Sequence, residues 1–76
     1  MFYKTRNITL AAYLKAEGLR LDNVERNQGN QVTFVFMDPN SYAERYEEIF
    51  KSGDAEANIK KFMDELNGLR DIIFKG

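Results

Sequence analysis

Residues 19–38 read LRLDNVERNQGNQVTFVFMD, and this stretch decides the fold. Val32, Phe34 and Phe36 alternate with Thr33, Val35 and Met37, the period-2 pattern of a strand. Upstream, Leu19 and Leu21 alternate as well, while Val24 falls out of phase by one residue. Asn27-Gln28-Gly29 fits a three-residue hairpin loop with Gly29 in the left-handed position, a register that pairs Val24 with Val32. One extra residue near Asp22-Asn23, a β-bulge, then gathers Leu19, Leu21, Val24, Val32, Phe34 and Phe36 on one face. Val35 and Met37 remain apolar on the other. Either Phe2-Tyr3 lies beside them or a partner covers them.

Helices flank this hairpin. Before it, Phe2 to Thr5 is a short β-type run, an edge strand or an ordered arm. Asn7 can cap a helix that runs to about Glu17 and stops at Gly18. Leu10, Tyr13 and Leu14 share a face of that helix, and Ala11, Ala12 and Ala16 keep the rest slim enough for close packing. After the hairpin, Asp38-Pro39 opens a second helix with Asp as cap and Pro at the first position. Ser41-Tyr42-Ala43-Glu44 offers an alternative capping box. Tyr42, Tyr46, Ile49 and Phe50 follow its apolar face, Gly53 stops it, and Asp54 can cap a third helix. That helix carries Ile59, Phe62, Leu66, Leu69 and Ile73 at spacings of about 3 and 4, with Met63 and Phe74 widening the stripe. Arg70 falls within the stripe, Ile72 falls outside it, and Asn67-Gly68 is a candidate kink. The expectation is one α+β domain over residues 1–76: short N-terminal strand, helix, β-hairpin, and two C-terminal helices packed on one sheet face.

Composition sets the outer bounds. The 76 residues are 43% hydrophobic, 30% charged and 13% aromatic, too apolar for disorder and too few for two domains. At that length the fold is worth about 4–11 kcal/mol. Cysteine, histidine and tryptophan are absent, so this chain offers no disulfide, thiol nucleophile, Ser-His-Asp triad, or His or Cys metal ligand. No stretch approaches the length of a membrane span, and Met1 to Asn7 lacks the apolar core of a secretory signal. A cytoplasmic location is expected.

Catalysis finds little support in the residues. The serines, Ser41 and Ser52, fall at a helix start and a helix end. Glu44, Glu47 and Glu48 could gather a hard cation, but they read better as a solvated helix surface, as do Asp64-Glu65 and Asp54 with Glu56. Gly29 and Gly53 are isolated, so no phosphate loop forms. The expectation is no enzyme, no catalytic residue, no cofactor and no metal.

Two binding classes remain. Thr33 to Met37 loosely echoes the aromatic strand of an RNA-recognition motif, but the basic-glycine start is missing and the core needs Phe34 and Phe36. A weaker nucleic-acid reading uses Lys4, Arg6, Lys15, Arg20 and Arg26 as a phosphate-facing patch. Residues 1–26 carry five basic against three acidic groups, and residues 38–76 carry six against nine. The net charge of -1 and the interspersed acids weigh against that patch. Contact with a protein, or with a second copy of this chain, is better supported. Val35, Met37 and Ile72 are apolar beyond what one small core needs. Arg70 reads as an interface or buried-pair arginine, or as one in a frayed last turn whose guanidinium reaches water, the reading its position favours. It stands with them as a candidate partner surface.

The residues also carry a resemblance. Tyr3-Lys4-Thr5, the Leu10-Ala11-Ala12-Tyr13-Leu14 helix ending at Gly18, and Val24-Glu25-Arg26 before a glycine turn belong to it. So do Val32-Thr33-Phe34-Val35-Phe36 and Leu69-Arg70-Asp71-Ile72-Ile73. Together they resemble a family of short prokaryotic and phage proteins classed only as a domain of unknown function. Asn7 stands where relatives prefer Asp, and both cap helices. The resemblance implies a small intracellular protein associated with mobile elements, and it brings no catalytic residue, ligand or partner.

Overall fold

The computed structural model describes residues 1–75; Gly76 lies outside the described residues. In chain order come β1 (Phe2–Thr5), α1 (Ile8–Ala16), β2 (Arg20–Arg26), β3 (Val32–Met37), α2 (Tyr42–Ser52) and α3 (Ile59–Lys75). The expected α+β order holds, and Phe2-Tyr3 does form a third strand. The antiparallel sheet is ordered β1-β3-β2, so the strand with the strongest alternation stands in the middle.

The hairpin contains the expected bulge. Pairing passes from Leu21 opposite Phe36 to Asn23 opposite Val35, which leaves Asp22 as the extra residue. Its loop register differs from the expected one. Val24 stands opposite Phe34 rather than Val32, and Arg26 takes Val32. The Asn27 backbone N–H donates to the Gln31 carbonyl at 2.8 Å, and its side-chain amide donates to Thr33 Oγ1 at 3.2 Å. These bonds slide the loop by one residue, to Gln28–Asn30, with Gly29 at φ 75°. Sliding the loop by one moves each partner by two, so every side chain keeps its face. Hydrophobic patterning alone could not separate the two registers.

The buried residues of α1 are Leu10, Ala11, Ala12, Tyr13, Leu14 and Ala16, apolar around most of the helix circumference. It is accordingly the element on which α3 and α2 pack. Asn7 Oδ1 caps it, accepting from Thr9 N–H at 3.0 Å and Leu10 N–H at 3.2 Å. Lys15 Nζ meets Glu65 Oε1 at 3.2 Å and ties α1 to α3. The Tyr13 ring meets Tyr46 edge-on and Phe50 at a tilt, both at 5.8 Å between centroids. Phe34 and Phe36 from β3 and Leu66 and Leu69 from α3 complete the core, with Tyr3, Leu21, Val24 and Val32 packed against it. These sheet residues share one face, the one the helices cover.

Both later helices start differently from expectation. Asp38 does cap α2, but from farther back: its carboxylate accepts from Tyr42 N–H at 2.9 Å and Ala43 N–H at 3.1 Å. Pro39 sits in the preceding turn, where Ser41 N–H donates to the Asp38 carbonyl at 3.3 Å. Ser41 has φ 57° and makes no side-chain cap, so the capping box does not form. Asp54 does not start α3, because its N–H returns to the Ile49 carbonyl at 3.2 Å and its carboxylate accepts the Ser52 hydroxyl at 3.1 Å. Asn58 Oδ1 takes that role instead, accepting from Lys61 N–H at 3.0 Å. From Ile59 the helix runs unbroken through Asn67-Gly68.

Candidate functional site

The four residues expected to form a partner surface separate in the structure. Val35 lies on the sheet face turned away from the helices, opposite Lys4 on β1, while Glu25 on β2 stands opposite Thr33. Lys4 Nζ reaches across β3 to Glu25 Oε1 at 3.4 Å, passing over this stretch of the strand. Val35 is left 5% exposed. It is covered by the chain's own charged neighbours and offers a partner almost no surface.

Met37, two residues on, is exposed. It stands opposite Phe2, which is 55% exposed, and Met1 is exposed next to them. Met1 is held at this corner by its carbonyl, which accepts from Asp38 N–H at 2.9 Å. Met37 also joins Arg20 and Tyr42 in lining an open groove of about 440 Å³.

Arg70 and Ile72 lie on opposite flanks of α3. At 100° per residue, Leu66, Leu69 and Ile73 define its inward face, Ile72 flanks one side, and Arg70 flanks the other. Along the Arg70 flank run Ile59, Met63 and Phe74, separated from one another and from Arg70 by four, seven and four residues. Ile59 is 80% exposed, Phe74 is 83% exposed, and Met63 is also in solvent. In the sequence Ile59 reads as part of the core stripe, and Met63 and Phe74 as a widening of it. The residues of this row stand about 20° (Ile59) to about 80° (Phe74) round from Leu66, and about 80° or more from Leu69, and that offset is the signal that separates them.

The five cations of the alternative patch do not converge either. Lys4 is engaged with Glu25, and Lys15 with Glu65. Arg26 turns to the helix side of the sheet, where its guanidinium donates to the Ile72 carbonyl at 2.6 Å and the Ile73 carbonyl at 3.3 Å. Arg6 and Arg20 are exposed. An open groove of about 700 Å³ lies beside Arg26, between the hairpin loop and the end of α3, lined also by Asn27, Gln31, Val32, Ile73 and Phe74. Its charged group is thus occupied in holding α3.

The titratable groups offer little chemistry. Burial pushes the Tyr3 hydroxyl up to about 12, reinforced by the neighbouring carboxylates of Glu47 and Glu44. Burial likewise raises Tyr13, with Glu17 adding to it. Both phenols stay protonated at neutral pH, where neither can act as a base. Among the described residues, no three His, Cys, Asp or Glu side chains gather as a metal would need, and no helix is long and apolar enough to cross a membrane.

Among the described residues, fold and surface together define a small α+β domain: a three-stranded antiparallel sheet under three α-helices, with apolar side chains left exposed at one sheet corner and along one helix flank. The chain belongs to the family described as a domain of unknown function (DUF5659), which matches residues 1–75. Searches of the curated proteins and of the solved structures found no match.

Proposed function

We propose that this protein is a non-enzymatic binding or regulatory module that acts through protein–protein contacts. The observation that carries this reading is the exposure of apolar side chains clustered at one sheet corner and spaced along one flank of α3. Met1, Phe2 and Met37 form one patch, and Ile59, Met63 and Phe74 are strung out with Arg70 along one flank of α3. Scattered surface hydrophobics are ordinary, but contiguous ones mark interaction surfaces. An arginine among them suits an interface, where Arg is enriched and Lys and Glu are depleted. The rival reading, a nucleic-acid accessory protein, is weakened by the engagement of Lys4, Lys15 and Arg26 within the fold. The same proposal places the protein in the cytoplasm of a prokaryote or phage-infected cell.

The test compares the parent with a Met63→Lys/Phe74→Lys double variant, both immobilised and exposed to extract from the producing cell. Both side chains are exposed, so the variant is expected to melt with the parent while losing a discrete protein that the parent retains. An identical set of captured proteins would contradict the reading. In parallel, fluorescence titration with single- and double-stranded oligonucleotides is expected to show no binding. Affinity that falls steeply with salt would favour the rival, because released counterions set that slope.

A further inference from the structure

The sheet has two edges, and they are unlike. The outward edge of β2 is closed in three ways. The bulge at Asp22 breaks its even spacing. Asn23 Oδ1 accepts the Val24 N–H at 2.9 Å, occupying an outward donor. Arg20 and Asp22, both exposed, set charge beside it.

No such device closes β1. The Met1 carbonyl accepts from Asp38 N–H, and Tyr3 and Thr5 stand opposite Phe36 and Phe34. By the alternation of an antiparallel ladder, the N–H and C=O groups of Phe2 and Lys4 therefore point away from β3. Lysine commonly guards an open edge. Lys4 leans the other way, across β3 to Glu25. What remains at this edge is Phe2, with Met1 and Met37 exposed nearby.

We propose that β1 pairs antiparallel with β1 of a second copy of this chain, joining two three-stranded sheets into one of six. This rests on the protein-binding reading and names the partner of its Met1, Phe2 and Met37 patch. Self-complementarity selects a second copy. With Tyr3 of both copies on the two-fold axis, Phe2 faces the second copy's Lys4 in both directions, and each such pair exchanges two backbone hydrogen bonds. The faces also agree. Tyr3 meets Tyr3 on the helix side, while Phe2 packs on the aliphatic stem of Lys4 on the outer side. The Glu44 and Glu47 carboxylates beside each Tyr3 approach the axis. Association therefore strengthens with added salt, opposite to the trend for nucleic acid.

Sedimentation of the full chain tests this. The parent is expected to pass from 8.9 kDa to twice that mass as concentration rises. Lys4→Pro removes an outward N–H and leaves every backbone bond to β3, and Phe2→Lys sets like charges opposite each other. Each is expected to raise the dissociation constant about tenfold or more, with melting unchanged at dilutions where the parent is monomeric. If Lys4→Pro does not fold, Phe2→Lys decides. Lys4→Ala keeps the N–H, loses the Glu25 pair, and is expected to remain dimeric. A parent that stays at 8.9 kDa at every concentration, or a dimer indifferent to both Phe2→Lys and Lys4→Pro, overturns the pairing. A monomeric parent whose capture of a protein still depends on Met63 and Phe74 removes the β1 pairing alone and leaves the broader reading standing.

Discussion

Asp38 is buried, and its carboxylate is satisfied by two backbone N–H groups at the start of α2. Replacing it by alanine orphans both donors, so Asp38→Ala is expected to cost about 1–3 kcal/mol, read as a lower melting temperature. Asp38→Asn keeps one acceptor oxygen and is expected to cost less. Gly29 sits at φ 75° and ψ 34° with open space where a Cβ would stand, so strain there comes from the backbone alone. Gly29→Val is expected to lose about 1–3 kcal/mol in thermal denaturation, and Gly29→Asn less, because Asn tolerates the left-handed region. Tyr3 predicts an alkaline limb. Its raised pKa means the fold favours the neutral phenol, a contribution fully present below pH 10 and lost as pH rises through about 12. In Tyr3→Phe that part of the loss disappears, on the order of 1–2 kcal/mol after allowance for partial exposure. An alkaline melting profile unchanged by Tyr3→Phe would contradict this. The cap at Asn7 and the turn at Gly29 are legible in the sequence because both are local. Asp38 as a cap is also legible, but its reach is not, since the turn through Pro39 and Ser41 delays the helix by several residues.

α3 and the hairpin show what periodicity settles and what it misses. Spacing identifies α3 and its inward residues, and Gly68 does not break it. A Cβ at Gly68 meets nothing within 4 Å, so Gly68→Ala is expected to stabilise the protein by about 0.5–1 kcal/mol in chemical denaturation. A destabilised Gly68→Ala would mean the helix is not continuous there. The end of α3 depends on a contact no pattern announces: Arg26, 46 residues away from Ile72, donates to its carbonyl. Arg26→Ala should speed amide exchange in the last turn of α3 while leaving β3 amides protected. Equal acceleration everywhere would count against a local role. In the hairpin, the misplaced Val24 is what reveals the bulge at Asp22 in the sequence. The loop register escapes because a two-residue shift leaves every face unchanged.

At the scale of the whole molecule, 76 residues bury their core chiefly around α1 and still leave apolar groups over. Which groups are left over is only partly legible. Val35 looks available in the sequence and is covered by Lys4 and Glu25, a pair that exists only once β1 docks beside β3. Ile59, Met63 and Phe74 look like core and are exposed, because Phe62, Leu66, Leu69 and Ile73 take the face of α3 that meets the core. The reading of this domain as a protein-binding module is tested most directly by site-specific photocrosslinking in the producing cell. A photoreactive phenylalanine analogue is placed at Phe2, Met63 or Phe74, and at the exposed polar position Glu48 on α2 as a control. The expected result is discrete protein adducts from the apolar positions, with the second copy among those from Phe2, and none from Glu48. Adducts to nucleic acid, or the same adducts from all four positions, would contradict it.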